Sequence, residues 1–325
     1  MNLKYYMSAL FLLVWLYPVE AQYDFDALER ERMAKAGIKT QTQWTYEYVN
    51  GKPSAKGYKS QVSKFNTMGN VVEIVSYNEA GKVISVVVYQ YDNRGNRISN
   101  ERYQGNREKL QNSQKIQYDA KGNKIREYGY DGATSYNNTF LYNNDGKLSE
   151  IVYIVDNAVI EKRMLTYSGN KTDIQVFDAG NKLIHRQENT YNDNGLLLTE
   201  VKIGIQGNVI QTLDMQYNNV GDLTEEIRKR ANDMLDYQKT YQYDRENRPI
   251  KEETTNLDGS KFVSREYQYN QLGDLIKTNW KKTDKTQEYS SKKITYNSKR
   301  LYTEEEWYIA TYQFYSLYKY EYEFF

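Results

Sequence analysis

Residues 264–280 read SREYQYNQLGDLIKTNW and contain a complete signal for a tight β-hairpin. Asn270 suits the first corner of a type I turn, because its side chain accepts hydrogen bonds from backbone N–H groups ahead of it. Gln271 and Leu272 take the central positions, and Gly273 takes the left-handed conformation that closes a three-residue loop with a bulge. The segment therefore predicts a turn with a strand on each side.

The strands that flank this turn carry tyrosine before it and an aliphatic pair after it. Tyr267 and Tyr269 lie on one face of the incoming strand, because side chains alternate along a strand. Leu275 and Ile276 open the outgoing strand, and one of them is expected to pack across the hairpin from those rings. A single hairpin buries too little surface to persist in water, so several hairpins must lie side by side.

The same pattern of an aromatic residue, Asn or Asp, and a glycine recurs along the chain. Clear copies begin at Phe65, Tyr77, Tyr91, Tyr118, Tyr142, Tyr191, Tyr217 and Tyr269, with turn glycines at Gly69, Gly81, Gly95, Gly122, Gly146, Gly195, Gly221 and Gly273. Weaker copies begin at Tyr167, Tyr243 and Tyr296, and Asn247 replaces the glycine in the second of these. Apart from Tyr77, neighbouring copies start about 24 to 27 residues apart, with weaker turns near the midpoints. This spacing predicts an all-β, repetitive antiparallel β-hairpin array over residues 59–300.

The composition is typical of a folded chain that does not bind nucleic acid. Of the 325 residues 39% are hydrophobic and the mean hydropathy is -0.88, yet 34 residues are tyrosine. Disordered chains are poor in aromatic residues, and tyrosine suits thin sheets because it buries a ring while its hydroxyl stays in water. Lysine and arginine total 44 against 43 acidic residues, with both signs interleaved. The basic stripe that neutralises phosphates is therefore missing.

Residues 1–21, MNLKYYMSALFLLVWLYPVEA, are typical of a signal peptide. Lys4 precedes an apolar run of about 13 residues, and the small residues Val19 and Ala21 predict cleavage after Ala21. The run is short for a membrane-spanning helix, and a buried helix is the alternative. The absence of cysteine excludes a lipobox, disulfides and thiol chemistry. We expect an exported chain, not a lipoprotein, that is periplasmic, outer-membrane-associated or secreted, without a transmembrane helix once mature.

Residues 22–58 are predicted to be an N-terminal helix-and-strand cap. Asp26 and Glu29 fit a capping box and Gly37 fits a helix stop, so we expect a short helix from Ala27 to Ala36. The following IKTQTQWTYEY is predicted to be a first strand, with VNGK as its turn. Atypical terminal units protect the open edges of an array, and a helix that binds a partner is the alternative.

Residues 301–325 are predicted to be an aromatic C-terminal strand segment. Tyr318, Tyr320, Tyr322 and Phe324 alternate with charged residues and form the candidate partner-binding edge. Three interpretations are open. The segment is the last strand of the array with its rings packed on the sheet, an exposed edge that accepts a partner strand, or the closing strand of an outer-membrane barrel. Strands such as KIREYGY carry charge on both faces, which disfavours the last interpretation.

No recognisable catalytic, cofactor or metal site is found in the sequence. His185 is the single histidine, and without cysteine or a second histidine it completes neither a zinc site nor a triad. The acidic run at residues 304–306 is typical of a solvated surface, and NNDG at Asn143 lacks the spaced carboxylates of a calcium loop. The glycines fall in hairpin turns rather than before helices, which disfavours a phosphate-binding loop. Paired carboxylates for glycan hydrolysis look like surface acids here, so no enzymatic activity is predicted.

The repeated phrase resembles the YD repeat of the Rhs family, in which an aromatic-x-Tyr-Asp-x-x-Gly-x-Leu segment marks each unit. VVVYQYDNRGNRI, from Val86 to Ile98, and SREYQYNQLGDLI, from Ser264 to Ile276, match it best. The resemblance spans Lys59 to Arg300 and implies an elongated, twisted or spiralling antiparallel sheet in a short, exported bacterial form. It does not extend to a toxin, because neither an aspartyl self-cleavage motif nor a separate enzymatic domain follows the repeats.

These features together predict a non-enzymatic binding or scaffold protein of the bacterial cell envelope or exterior. In one mode, the C-terminal edge strand pairs with an envelope or extracellular protein. In the alternative mode, rows of tyrosine rings on the sheet bind a glycan. A barrel-like component of the outer membrane is a further alternative, and no cofactor is expected.

Overall fold

The computed structural model describes residues 25–285 and 287–325, in which one helix precedes a long series of strands. The predicted signal peptide and its cleavage site lie outside the described residues. The helix α1 spans Phe25–Ala36 and ends at Gly37, which confirms the helix predicted before the repeats. No helix in the described part of the chain combines the length and apolarity needed to cross a bilayer.

The strands follow one another along the chain with short connections. They are β1 (Ile38–Val49), β2 (Lys52–Pro53), β3 (Tyr58–Phe65), β4 (Val71–Tyr77), β5 (Val83–Tyr91), β6 (Arg97–Gln104), β7 (Lys109–Tyr118), β8 (Lys124–Tyr130), β9 (Ser135–Tyr142), β10 (Leu148–Val155), β11 (Ala158–Ser168), β12 (Lys171–Asp178), β13 (Leu183–Tyr191), β14 (Leu197–Gly204), β15 (Val209–Tyr217), β16 (Leu223–Arg230), β17 (Leu235–Tyr243), β18 (Pro249–Asn256), β19 (Lys261–Tyr269), β20 (Leu275–Trp280), β21 (Ser290–Tyr296), β22 (Tyr302–Ile309) and β23 (Phe314–Phe324).

All strands except the two-residue β2 form one closed antiparallel barrel of 22 strands. From β3 to β23 each strand pairs with the next one along the chain, and β1 pairs with both β3 and β23. The predicted all-β hairpin array is confirmed, but the predicted open, elongated or spiralling sheet is wrong. Closure pairs the backbone groups of the two terminal strands, which an open sheet would leave as exposed edges.

The hairpin turns lie alternately at the two ends of the barrel. The end next to α1, termed the helix rim, contains the turns at 66–70, 92–96, 119–123, 143–147, 169–170, 192–196, 218–222, 244–248, 270–274 and 297–301. The opposite end, termed the distal rim, contains the weaker turns and the turn that follows Tyr77. Two strands separate successive turns on one rim, which explains the repeat length of the sequence pattern.

The turn after β19 has the predicted geometry. The N–H of Gly273 donates to the carbonyl of Asn270 at 3.0 Å, and the N–H of Asn270 donates to the carbonyl of Asp274 at 2.9 Å. The side-chain oxygen of Asn270 accepts from the N–H groups of Leu272 and Asp274, both at 2.9 Å. Gly273 has a φ of +84°, which glycine adopts without a steric penalty. Positive φ values are also found at Gly69, Gly81, Gly95, Gly122, Gly146, Gly195 and Gly221, and at Asn247.

A β-bulge at the start of the outgoing strand explains the aliphatic pair that follows each turn. Tyr269 pairs with Leu275 and Gln268 pairs with Lys277, so Ile276 is an extra residue on its strand. The same shift in register follows most turns of the helix rim, for example between β5 and β6 and between β15 and β16.

A tyrosine of the next copy closes each bulge. Tyr296 donates its hydroxyl proton to the carbonyl of Leu275 at 2.9 Å. The same bond joins Tyr91 to Val71, Tyr118 to Arg97, Tyr142 to Lys124, Tyr167 to Leu148, Tyr217 to Leu197, Tyr243 to Leu223, Tyr269 to Pro249 and Tyr322 to Tyr302. These bonds are termed the tyrosine clamps. Each ties one hairpin to its neighbour and is expected to contribute about 1 kcal/mol.

The turn after β11 shows that the clamp depends on the bulge. Ser168 pairs with Lys171 across a two-residue turn, and the register of β11 and β12 runs without a shift. The tyrosine that would clamp this turn is Tyr191, and its hydroxyl instead accepts a hydrogen bond from the Asn189 side chain at 3.3 Å. Tyrosine therefore recurs because it reaches a carbonyl that the bulge exposes.

One cluster of buried apolar residues lies on the inward face of the barrel wall. Phe140, Ile151, Leu165, Ile174 and Val176 form a cluster on the lumen side of β9–β12. Partly buried tyrosines of the same strands pack against them. This core is a single layer of side chains on one section of the wall, because its residues pack against residues of their own and neighbouring strands.

The outward face of the wall is charged. Lys64 and Glu73 form an ion pair at 2.7 Å between β3 and β4, and Lys319 and Glu304 form one at 2.8 Å between β22 and β23. The register also places outward-facing charges at Glu101, Lys115, Arg126, Glu150, Lys162, Asp173, Arg186, Glu188, Asp214, Glu225, Lys229, Lys251, Glu253, Glu266, Lys277, Lys293 and Glu306. A lipid-facing surface requires consistently apolar outward positions, and these charged positions depart from that pattern.

Candidate functional site

A cavity of about 1180 Å³ lies in the lumen at the helix rim and is termed the helix cavity. One wall is α1, which contributes Glu29, Arg30 and Met33, and the facing wall is the inward side of β1 and β3–β8. Its volume exceeds the roughly 300–1,000 Å³ of pockets for drug-sized ligands. The cavity therefore has room for an oligomeric ligand.

An apolar contact seats α1 against the inner wall of the barrel. Met33, which is 1% exposed, packs with Ile38, Phe65 and Leu301 in a second buried cluster. The turn at 66–70 lies directly under the helix, because a Cβ atom on Gly69 would be 2.1 Å from the carbonyl oxygen of Arg30. Glycine is thus required at that position for two reasons, its positive φ and this close approach.

Asp274 fixes the helix to the rim electrostatically. Its carboxylate, 1% exposed, accepts hydrogen bonds from Arg32 at 2.8 Å, Arg300 at 2.6 Å and Asn270 at 3.1 Å. Burial raises the pKa of this carboxyl, but the bonds from Arg300 and Asn270 and the charge of Arg32 outweigh burial, and the pKa lies below its usual value. Arg32 also lies over the Tyr296 ring at 5.0 Å, which adds a cation–π contact.

Glu29 is the acidic residue of the helix wall. It accepts a hydrogen bond from the Tyr302 hydroxyl at 3.1 Å. Burial, and then the nearby charge of Glu305, raise the pKa of Glu29 above its usual value despite that bond. Burial likewise raises the pKa of Tyr302. Proton binding by Glu29 is therefore easier in the folded barrel than in the unfolded chain.

The strand wall of the helix cavity combines rings with amide groups. Tyr89, Tyr91 and Tyr118 provide the rings, and two of these tyrosines also form clamps. Gln41, Gln61 and Gln114 provide amides on β1, β3 and β7. Such a surface offers flat apolar faces for stacking together with hydrogen-bond donors and acceptors.

The charged side chains of the strand wall are Arg97, Lys124 and Glu127. Lys124 and Glu127 form an ion pair at 2.8 Å, and Gln114 donates to Glu127 at 2.6 Å. Lys124 also lies 4.4 Å from the centre of the Phe140 ring. Arg97 instead lies over the Tyr89 ring at 5.9 Å and is exposed to the lumen.

The candidate partner-binding edge does not have a free edge in this structure. Tyr318, Tyr320 and Tyr322 lie in β23, which is hydrogen-bonded on one side to β22 and on the other to β1. The prediction of an open edge strand is wrong, because the first strand of the chain returns to pair with the last. The segment is the last strand of the array with its rings on the wall, and it is also the strand that closes the barrel through its pairing with β1.

The rings of this last strand point into the lumen. Tyr322 clamps the carbonyl of Tyr302, and the Tyr320 hydroxyl donates to the side-chain oxygen of Gln43 at 3.3 Å. Burial raises the pKa of both tyrosines. Phe324 lies at the end of the strand, 44% exposed, beneath the ammonium group of Lys299 at 4.3 Å.

His185 lies on the inward face of β13, opposite Val176 and Gly204. Burial lowers its pKa to about 4, and the charges of Lys202 and Arg163 add to this effect. Among residues 25–285 and 287–325, no group of three or more His, Cys, Asp or Glu side chains is placed to hold a metal ion.

Sequence reasoning missed the two arginines of the helix cavity and the role of Asp274. Arg30, Arg97 and Asp274 look like surface charges in the sequence, since basic and acidic residues alternate throughout the chain. Only closure brings β6 and the turn at 270–274 close to the same helix. The one feature of the sequence that could have indicated this site is the helix before the repeats, because it carries Arg30 and Arg32.

Comparison with known proteins gives no family for this chain. No protein-family model matches it, and no curated protein matches it. Among solved structures it is similar to the TcdB2-TccC3 complex without its hypervariable C-terminal region, at 12% identity and a TM-score of 0.30. That match covers 83% of this chain but 18% of the other, so the chain spans less than a fifth of the length of that protein.

Two further similar structures are porin-like proteins of Bacteroides. The protein from Bacteroides uniformis is 10% identical, with a TM-score of 0.31 over 88% of this chain and 98% of the other. The protein from Bacteroides vulgatus is 12% identical, with a TM-score of 0.22 over the same shares. At these scores the likeness does not assign a function.

Proposed function

We propose that this chain is an exported, non-enzymatic binding protein of the bacterial envelope or exterior that holds an oligosaccharide inside a water-filled barrel. The observation that carries the proposal is the helix cavity, in which tyrosine rings and glutamine amides face an open lumen. Export rests on the signal-peptide pattern of residues 1–21.

The chemistry of the strand wall suits a sugar. A pyranose presents C–H groups on its faces and hydroxyls around its edge. Rings such as Tyr89 pack against the C–H faces, while Gln41 and Gln61 exchange hydrogen bonds with the hydroxyls. Several sugar units are needed to fill about 1180 Å³, which favours an oligosaccharide over a monosaccharide.

A barrel-like component of the outer membrane is the second candidate, and the closed hydrogen-bonded ladder favours it. A closed barrel satisfies its backbone groups internally, as a membrane requires. The outward charges disfavour insertion, because a lysine or arginine facing the centre of a bilayer costs about 2–4 kcal/mol. We therefore propose association with the envelope through a partner or a ligand, with the barrel wall in water.

The proposed hairpin unit is a variant of the YD repeat. The support is the recurring turn, bulge and clamp, in which each repeated feature of the phrase has one physical role. The tyrosine reaches a carbonyl of the preceding hairpin, Asn or Asp organises the turn, and glycine adopts the positive φ. We do not propose a scaffold role through strand addition, because β23 is paired on both sides and offers no free edge to a partner strand.

A pair of neighbouring substitutions tests binding in the lumen. Gln61→Trp places a large ring in the helix cavity, whereas Val62→Trp places the same ring on the outer face of the same strand. Binding of a panel of soluble oligosaccharides is measured by isothermal titration calorimetry, with circular dichroism as the check on folding. We expect Gln61→Trp to weaken binding at least about tenfold and Val62→Trp to leave it unchanged. Equal effects, or no binding by the unsubstituted protein, would refute the proposal.

Fractionation separates the two candidates. The native host, or cells that export the chain, are lysed without detergent, and the membranes are washed with alkaline carbonate. A barrel in water is released into the wash or found in the soluble fraction. Retention until detergent is added would favour the outer-membrane candidate.

A further inference from the structure

The charges that line the helix cavity are unbalanced. On the strand wall, Lys124 and Glu127 neutralise each other at 2.8 Å. On the helix wall, Glu29 accepts a hydrogen bond from the neutral Tyr302 hydroxyl and forms no ion pair with either arginine of the cavity. The remaining charged groups are Arg30 and Arg97, and neither forms an ion pair within residues 25–285 and 287–325. The cavity therefore presents two guanidinium groups without an acidic partner.

These two arginines border the same part of the tyrosine wall. Arg30 comes from α1 and Arg97 from the start of β6, on facing walls. The hydroxyl of Tyr91 lies within the electrostatic reach of both: burial raises its pKa, and the charges of Arg97 and then Arg30 partly offset that rise. The guanidinium of Arg97 also lies over the ring of Tyr89 at 5.9 Å. Two cationic groups and two rings thus converge in one corner of the cavity.

The shape of this corner points to an anionic group on a larger ligand. A guanidinium presents paired N–H donors that match the two oxygens of a carboxylate or a sulfate. A neutral sugar has no negative charge to pair with the two guanidinium groups. Both groups are exposed, so water solvates them until an anionic ligand takes its place. A small inorganic anion would leave most of the cavity unoccupied.

We propose that the helix cavity binds an acidic oligosaccharide, with Arg30 and Arg97 on its carboxylate or sulfate groups and Tyr89 and Tyr91 against its sugar rings. This inference rests on the proposed function and names the ligand class of the same site. Carboxylated and sulfated glycans share the chemistry that the two arginines recognise, and the experiment distinguishes them.

The first test compares three hexasaccharide probes against the full mature chain. They are hexagalacturonate, which carries carboxylates, a chondroitin sulfate hexasaccharide, which carries sulfates as well, and neutral maltohexaose. Titration calorimetry is performed at low salt and at about 0.5 M salt, where exposed charge pairs are screened. We expect at least one acidic probe to bind about tenfold or more tightly than maltohexaose, and salt to weaken that binding. The tighter acidic probe identifies the source of the anion.

The second test removes the arginines one at a time. Arg30→Gln and Arg97→Gln keep hydrogen-bonding capacity but remove the charge, and each is expected to weaken acidic-probe binding about tenfold or more. Arg245→Gln is the matched control, because Arg245 is exposed in the turn at 244–248 of the same rim and is not part of the cavity wall. We expect it to bind like the unsubstituted protein. Thermal unfolding of each variant establishes that the barrel is intact.

The outcomes separate this inference from the proposed function. Equal affinity for maltohexaose and both acidic probes overturns the inference and leaves oligosaccharide binding in place. Tight acidic binding that Arg30→Gln and Arg97→Gln do not change, or that Arg245→Gln weakens equally, also overturns it. Failure of every probe to bind overturns both.

Discussion

The turns at 66–70 and 78–82 have the same local sequence pattern and lie on opposite rims of the barrel. Gly69 and Gly81 share a φ of +77°, and in both turns the glycine N–H donates to the asparagine carbonyl three residues earlier. Their surroundings differ completely. A Cβ on Gly69 would meet the carbonyl of Arg30 at 2.1 Å, whereas no atom lies within 4 Å of a Cβ on Gly81. The same local sequence pattern therefore forms a turn that is packed against the helix on one rim and an exposed turn on the other.

The tyrosines of the two rims differ in the same way. On the helix rim, Tyr243 clamps the carbonyl of Leu223 at 2.8 Å. Tyr77 precedes a turn with the same motif on the distal rim, and the Lys59 ammonium lies over its ring at 4.5 Å. The repeated phrase therefore encodes hairpins on both rims, whereas the regular series of clamps and the helix α1 are found on the helix rim. On the distal rim, Tyr289 donates to the carbonyl of Val263 at 3.0 Å, but this tyrosine is not part of a copy of the phrase.

The largest expected effect is the loss of the carboxylate that holds α1. Asp274→Ala leaves Arg32 and Arg300 without their shared acceptor, and we expect a loss of roughly 3 kcal/mol in the free energy of unfolding. Asp222→Ala is the matched control. Asp222 accepts from Asn218 at the same position of another turn on this rim but forms no ion pair in the described chain. Its loss should cost about 1 kcal/mol, measured by urea denaturation. Equal losses would contradict a special role for the helix contact.

The glycine pair measures the packing of α1 directly. Gly69→Ala and Gly81→Ala both place alanine at positive φ, which costs about 1–2 kcal/mol in each turn. Gly69→Ala must also displace the helix backbone, and overpacking of this kind costs about 1–3 kcal/mol more. Urea denaturation should therefore show the larger loss for Gly69→Ala. A difference close to zero would mean that α1 is not held against this turn in solution.

The clamp is tested by removing one hydroxyl from each rim. Tyr243→Phe leaves the ring in place and deletes the bond to Leu223, with an expected loss of about 1 kcal/mol in the free energy of unfolding. Tyr77→Phe should change it by less than about 0.5 kcal/mol. Chemical denaturation of both variants beside the parent protein supplies the measurement. A loss at Tyr77 as large as that at Tyr243 would refute the contribution of the Tyr243 clamp to stability.

Acid is expected to affect the two rims in opposite directions. Burial lowers the pKa of His185, near the distal rim, from 6.5 to about 4, so the folded state binds fewer protons than the unfolded state between those values. The contribution of His185 to stability is present above pH 6.5 and is lost as the pH falls towards 4. Burial raises the pKa of Glu29, near the helix rim, so its contribution is present at low pH and is lost as the pH rises through the folded pKa.

Proton NMR titration of the single histidine tests the first half of this prediction, with an expected midpoint near pH 4. For the second half, the free energy of unfolding of Glu29→Gln is compared with that of the parent protein from pH 4 to 7. The free energy of unfolding of Glu29→Gln should rise relative to that of the parent protein as the pH rises. The reason is that glutamine keeps an acceptor for the Tyr302 hydroxyl without the buried charge. A histidine midpoint near pH 6.5 would contradict the prediction for His185. A stability difference between Glu29→Gln and the parent protein that does not change with pH would contradict the prediction for Glu29.

Local structure followed from the sequence wherever neighbours along the chain decide it. Asn270 and Gly273 specify a turn because their hydrogen bonds and φ angle depend on residues within four positions. Period-two alternation placed Tyr318, Tyr320 and Tyr322 on one face of a strand for the same reason. The helix before the repeats was predictable from its stop at Gly37.

Only the tertiary structure decided that the sheet closes. Pairing of β1 with β23 joins residues such as Thr42 and Glu321, which lie at opposite ends of the chain and share no local signal. The same closure brings Arg32 to Asp274 and Arg30 to the wall that holds Arg97. The sequence by itself determined the hairpin, its turn and its repeat length, because those are short-range properties of the backbone. The lumen, the seat of α1 and the cavity arise from accumulated strand twist and from long-range contacts, which a repeating local pattern leaves open.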